Sequence, residues 1–314
     1  MIEQVQNVLT SQREGINKMA CITHKDFKYN KYDDVLVFSD GAAEKNFELV
    51  LPKGIDFGNT ENKVLSVLID KFMEKLDTNN LTESNIEKAA HIIITNDELM
   101  ELFGGSNRKE LKRIIKKACV NLEYIKFSSN DLGREKHKIQ FNRFNIIHAS
   151  NTNTKNVVEV EFDKYFAEYI AYGHITYLPK SIYKINNFEK CKKYGFSIAR
   201  IILVHQRMNA NKPGNGKKGK QYGAYNLDTI IDKIPQLKKR AKKSKSEAYE
   251  YINATLLAME ELGIIKNFCY QNNKIAESGI DYYSNFKLLE GDKVEYEMCK
   301  ELADTYKTRK RKTK

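Results

Sequence analysis

A chain of 314 residues has room for two domains with separate cores, and its 53 Lys plus Arg against 41 Asp plus Glu leave a formal charge of +12, which favours an acidic partner. No aliphatic run exceeds Ile201–Val204, far short of the roughly 20 apolar residues that span a bilayer, and Met1–Ala20 lacks an apolar signal core, so a cytoplasmic protein with no membrane contact is expected. Cys21, Cys119, Cys191, Cys269 and Cys299 are too widely spaced for a Cys-x-x-Cys metal pair or a disulfide framework, which leaves reduced packing cysteines and neither metal nor cofactor.

Residues 1–54 are mixed in character, with Val35–Phe38 and Phe47–Leu51 as short strand candidates around the turn Asp40-Gly41, and read as a partly ordered leader. From Glu61 the pattern changes. Leu65, Leu68, Ile69, Phe72 and Leu76 recur at the spacing of an amphipathic helix and open a first core. His91–Thr95 is a β-branched run, and a helix follows with Thr95 or Asn96 as cap, acids in its first turn and Gly104-Gly105 at its end. Ser106 or Asn107 then caps a second helix. It buries Leu111, Ile114, Ile115, Ala118, Cys119 and Leu122 and turns Arg108, Lys109, Lys112, Arg113, Lys116 and Lys117 outward. Two helices joined by a glycine turn, the second with a basic face, make a helix-turn-helix. Strand candidates at Tyr124–Phe127, Lys138–Ile147 and Val157–Phe162, with polar tips at Ser128–Lys136 and Ser150–Lys155, add a wing and complete a winged-helix domain over residues 55–172.

The second half repeats this plan over residues 173–298. A long helix over Phe188–Asn209 places Tyr194, Ile198, Ile201, Ile202 and His205 on one stripe, and the Gly- and Lys-rich loop Asn211–Lys220 leads to a short strand at Tyr222–Tyr225. A helix capped by Asn226 carries Leu227, Ile230, Ile231 and Ile234. The basic turn Lys238–Lys245 then feeds a helix capped near Ser244 or Ser246, which buries Ala248, Ile252, Leu256, Met259 and Leu262 and stops at Gly263. Ile264–Tyr270, the turn Gln271–Lys274 and Tyr282–Leu288 supply a second wing. The expected fold class is therefore α+β, tandem winged helices followed by a basic tail over residues 299–314.

Residues 181–250 hold 17 bases and five acids, and the last ten residues hold six bases and no acid. Charge concentrated in this way draws polyanions, whereas the blander reading is a solvated lysine face. The second helix-turn-helix is accordingly the main candidate for DNA contact. Lys238, Lys239, Arg240, Lys242, Lys243, Lys245 and Ser246 lie where charge, backbone N–H groups and helix dipole all favour phosphate. Tyr249 and Asn253 lie off the buried stripe, and Asn is a residue type that pairs bidentately with adenine. Lys217, Lys218 and Lys220 in the loop and Lys274 at the wing tip are further candidates. Asn107, Arg108, Lys109, Lys112, Arg113 and Lys116 form a second set, with a packing or dimerisation unit as the alternative.

Gly214–Lys220 fits the first seven positions of a phosphate-binding P-loop, but Gln221 stands where the Mg²⁺-binding hydroxyl belongs and the flanking elements come in the reverse order. His24, His91, His137, His148, His174 and His205 include no pair separated by one residue, as a metal-dependent nicking enzyme would need. No enzymatic activity is expected.

The run Thr95–Gly104 followed by Lys109–Leu122, the strand Val157–Phe162 leading to Tyr165-Phe166, and Asn253–Ile265 ending in a wing resemble the plasmid and mobile-element replication initiators built from two winged helices, the Rep proteins that bind iterons. The likeness spans roughly residues 50–290. It implies that the second domain reads a direct repeat in an origin, while the first contacts the adjacent segment as a monomer or forms a repressing homodimer. It also implies that the protein deforms AT-rich DNA and recruits a host replication initiator and helicase. A transcriptional regulator of the same fold, binding a promoter palindrome, is the competing reading.

Overall fold

Short β-branched strands alternate with capped helices along most of the chain, and the resulting architecture is mixed helix and sheet. The computed structural model describes residues 8–11, 19, 21–40, 47–77, 79–104, 107–129, 144–151, 157–172, 175–209, 222–271 and 291–299. The chain divides into two units, residues 9–176 and residues 177–314 with residues 1–8.

In the first unit, β1 (Lys28–Asn30), β2 (Val35–Asp40) and β3 (Phe47–Pro52) precede α1 (Asn59–Lys75) and α2 (Glu83–Ala90). Then come β4 (His91–Thr95), α3 (Asn96–Phe103), α4 (Arg108–Tyr124), β5 (Lys126–Ser129), β6 (Phe144–Asn145), β7 (Ile147–Asn151), β8 (Val157–Phe162) and α5 (Lys164–Ala171). β1, β2, β3, β5 and β6 form one antiparallel sheet in that order. The stretch read as a leader thus supplies three of its five strands, and Leu49 and Leu51 are fully buried there. The physical reason is register: β1, β2 and β3 pair locally, but β3 joins the rest of the sheet by placing Leu49 opposite Phe127 and Val50 opposite Lys126, far along the chain, where local pattern gives no sign of it. Phe127 packs on Phe144, Phe166 and Tyr169 at centroid distances of 5.6, 5.8 and 4.8 Å.

The second sheet of this unit has the order β4-β8-β7. Ile92 and Ile94 of β4 face inward opposite Val160 and Val158. Of the hairpin expected to be a wing, Tyr124–Phe127 with Lys138–Ile147, the pairing is made at Phe144–Asn145 in the first sheet, Ile147 passes into the second, and residues 138–143 lie outside the described residues. β5 pairs with β6 in the first, and β7 pairs with β8 in the second.

In the second unit, two 3-10 helices (Lys180–Asn187 and Glu189–Cys191) precede α6 (Gly195–Asn209), β9 (Tyr222–Asn226), α7 (Leu227–Lys233), α8 (Pro235–Ala241), α9 (Lys245–Glu261), β10 (Ile265–Tyr270) and β11 (Lys293–Met298). The long helix expected from Phe188 therefore begins at Gly195. A Cβ at Gly195 would come 2.6 Å from that of Cys191, so only glycine lets α6 start against the preceding 3-10 turn. The sheet order is β9-β11-β10. The partner of Ile265–Tyr270 is Lys293–Met298, and Tyr282–Leu288 lie outside the described residues. The three-stranded sheets of the two units share one plan, a strand, then helices, then two strands with the last in the middle of the sheet, although β5 and β6 of the other sheet intervene in the first unit.

Candidate nucleic-acid interface

α3 and α4 are set by their ends. Thr95 Oγ1 accepts from the Glu98 backbone N–H at 3.2 Å, and Glu98 Oε2 accepts from the Thr95 N–H at 2.8 Å, a reciprocal capping box. Lys71 of α1 donates to the same carboxylate at 2.8 Å. Burial opposes ionisation of Glu98, but the hydrogen bonds from Lys71 and Thr95 outweigh it and hold its pKa below the ordinary value. α3 ends at Gly104, whose φ of +70° is a conformation that side-chain-bearing residues resist. Asn107 Oδ1 then caps α4 by accepting from the Glu110 N–H at 3.1 Å.

α4 lays Ile115, Ala118, Cys119 and Leu122 into the core, and the buried Asn121 donates to Glu61 of α1 at 2.9 Å. Burial pushes the Cys119 thiol up to about 12, so it remains a packing group. The opposite stripe, Lys109, Arg113, Lys116, Val120 and Tyr124, is exposed, with Lys117 beside it. Lys112 is half-buried at the margin. α4 carries six basic residues against two acids, all on one compact element. Carboxylates hold several of these cations: Asp97 pairs with Arg108 at 2.9 Å, Asp56 with Lys117 at 2.9 Å, and Glu110 with Arg113. The last pair is bidentate, Nε to Oε2 at 2.8 Å and Nη2 to Oε1 at 2.6 Å. The hydrogen bonds from Arg113 lower the pKa of the Glu110 carboxyl.

The second helix-turn-helix departs from expectation. Tyr249 is 1% exposed and its hydroxyl donates to Asp228 Oδ1 at 2.6 Å; Asn253 is 1% exposed and accepts from the Tyr270 hydroxyl at 2.7 Å. Both therefore lie on the buried face of the helix rather than off it. Both lie inward because α9 is packed on several sides: α7 and β10 take these two residues, while Cys191 donates to the Ala254 carbonyl at 3.4 Å and Tyr194 meets Tyr251 edge-on at 4.9 Å. What α9 exposes is Leu257, Glu260 and Glu261, with Lys245, Ser246, Glu247 and Glu250 half-buried, and the helix as a whole has one base against four acids. Glu250 is paired with Lys190.

Among the described residues of this unit, the excess of positive charge sits ahead of α9. Half of the expected basic turn is helical, because Pro235 starts α8 and carries it through Lys238, Lys239 and Arg240. Lys238 reaches Asp232 at 3.0 Å, Arg240 reaches Glu247 at 3.3 Å and Lys245 reaches Asp228 at 3.5 Å. Lys239, Lys242 and Lys243 are exposed, and Ser244 caps α9 by accepting from the Glu247 N–H at 3.3 Å. Lys217, Lys218, Lys220 and Lys274, and the P-loop-like segment 214–220, lie outside the described residues.

A groove of about 420 Å³ in the first unit is lined by Glu83, Glu87, Glu161, Asp163 and Glu168, with Lys164 and His148 as its only basic groups, and disfavours a polyanion. Among the described residues, no helix is long and apolar enough to cross a membrane.

The residues overlooked in the sequence are the carboxylates Asp97 and Glu110 and the exposed pair Val120 and Tyr124. Spacing carried the signal, since Glu110 stands three residues before Arg113 on a helical surface.

No protein-family model matches this chain, and no curated protein matches it. Two solved structures of domains 2 and 3 of RctB are similar to it. A crystal structure of selenomethionine derivatives superposes with a TM-score of 0.46 at 9% identity, covering 90% of this chain and 98% of that one. A second has a TM-score of 0.46 at 10% identity, covering 93% of this chain and 99% of that one. The chain is similar to RctB domains 2 and 3 along nearly its whole length.

Proposed function

We propose that this chain is a double-stranded-DNA-binding replication initiator whose two units are winged helices, with α4 as the helix that reads bases and the α8–α9 junction as a clamp on phosphates. The observation that carries the reading is the open face of α4, where Lys109, Arg113 and Lys116 stand on one stripe of the second helix of a helix-turn-helix. The repeated helix and strand order supports the winged-helix reading, because in each unit the helix following the turn is held against a three-stranded sheet. The unit richer in charge becomes the less sequence-selective one, since its exposed cluster Lys239, Lys242 and Lys243 precedes α9 and the charged residues that α9 exposes are Glu260 and Glu261. The protein acts by binding, without catalysis. It engages direct repeats beside an AT-rich stretch and brings in a host initiator and helicase by protein contact.

The test is recovery and sequencing of fragments bound by the purified protein from sheared DNA of its own replicon at physiological salt. Several same-orientation repeats spaced by whole helical turns are expected. A single inverted repeat at a promoter would make the protein a transcriptional regulator, and no enrichment of any duplex would overturn the reading.

A further inference from the structure

Two arginines stand at the start of α4, and a carboxylate holds each: Asp97 on Arg108 and Glu110 on Arg113. Only Arg113 has its planar fork fully engaged, with Nε and Nη2 on the two oxygens of one carboxylate. The pair is solvent-exposed, 68% for Arg113 and 47% for Glu110, so it is no support for the core. Its position matters more. Arg113 lies on the same open stripe as Lys109 and Lys116, one helical turn from each, and a guanidinium fork is the group that matches the O6 and N7 acceptors of guanine.

We infer that Glu110 is a specificity-determining residue: it occupies the Arg113 fork until a guanine edge replaces it, and so keeps that arginine from being spent on phosphates. The inference rests on the DNA-binding reading given above and deepens it. The magnitudes order the competition. An exposed ion pair changes an equilibrium by a factor of about five at most. One bidentate arginine–guanine contact discriminates by about 5- to 150-fold against the wrong base. A guanine therefore displaces Glu110. A phosphate also fits the fork bidentately, but it brings its own negative charge against the displaced carboxylate, a repulsion that the uncharged guanine edge does not meet. Glu110 thus lowers binding to random sequence more than binding to the site.

The experiment compares the full-length protein with Glu110→Gln and Arg113→Lys on a randomised duplex library, reading both the retained fraction against salt and the sequence motif selected. Gln keeps the length and polarity of the N3 side chain, and matching circular dichroism and Tm verify the fold. In Glu110→Gln, retention of the unselected library rises about three- to tenfold, the salt dependence steepens by about one unit of slope, and preference weakens at one G·C position. Arg113→Lys keeps the charge but loses the fork, and flattens the same position without raising retention. If the wild-type chain neither retains duplex nor selects a motif, the DNA-binding reading fails and the role of Glu110 with it. If the wild type selects a motif and Glu110→Gln selects the same one with unchanged retention and slope, the role of Glu110 alone is overturned.

Discussion

Lys63 brings an ammonium onto the buried face of α1, 7% exposed, with Nζ 4.7 Å from the centroid of the Phe103 ring at the end of α3. The ring face attracts the cation, but burial acts against it and lowers the pKa to about 8. The sign of the consequence follows from proton counting. Between about pH 8 and the ordinary lysine value of 10.5 the unfolded chain keeps a proton that the folded chain has released, so stability rises with pH through that window; below it the cost of burying the charge applies in full. Lys63→Met, of similar length and without the charge, is expected to raise the Tm of the first unit at pH 7 by a few degrees and to remove the added stability gained from pH 8 to 10.5. Calorimetric scans across that range check it, and a lower Tm at pH 7 would show that the ring contact outweighs the burial. Tyr249 and Asn253 illustrate the same competition with the opposite outcome, since each satisfies its polar atom inside and becomes part of the packing of α9.

At the scale of elements, the proposed function gives distinct roles to the exposed bases of α4 and to those of the α8–α9 junction. Reversing Lys109, Arg113 and Lys116 to Glu should abolish selection of a motif from a randomised duplex library. Reversing Lys239, Lys242 and Lys243 should leave the motif recognisable while lowering affinity for every sequence alike and reducing the salt slope by about three. Loss of the motif in the second variant and its survival in the first would interchange the roles. The sequence made α4 legible because one helical stripe held Leu111, Ile115, Ala118 and Leu122 and the other held the bases, a pattern that burial follows, with Leu111 half-buried. α9 was legible only in part. Ala248, Ile252, Leu256 and Met259 are buried as their spacing implies, but α9 is also covered by the 3-10 helices and by β10, and a buried arc that wide takes in polar residues the apolar pattern assigns to solvent. α2 and α5 span eight residues each, too few turns for a stripe to stand out, although Thr82 and Asp163 cap them. The strands before Gly54 carried their own alternation and pair with one another, but the partner that ties β3 to the rest of the sheet, β5, lies more than 70 residues on, a distance across which pairing leaves no trace in local pattern.

For the whole molecule, the question is whether a formal charge of +12 acts as a total or by its placement. Total charge sets a diffuse field that raises encounter rates and is screened beyond about 8 Å at physiological ionic strength. Placement sets how many phosphates are neutralised at once and therefore how many counterions are released. The two are separable because Lys31, Lys53 and Lys88 are exposed lysines of the first unit outside both basic surfaces. Changing these three to Glu alters the net charge by the same amount as reversing Lys239, Lys242 and Lys243. If placement governs, the first triple variant binds duplex with a salt slope within about one unit of the wild type and a modestly slower association at low salt. The second variant loses about three units of slope, and its affinity falls most at low salt, where the lost contacts count most. Equal losses from the two triples would mean that the chain binds DNA as a diffuse polycation, and the ordered faces on α4 and the α8–α9 junction would then have no part in recognition. The expectation of unequal losses rests on geometry. The bases of α4 occupy one side of a helix of 17 residues, about 25 Å long at 1.5 Å per residue, a length that lies along a major groove over several base pairs.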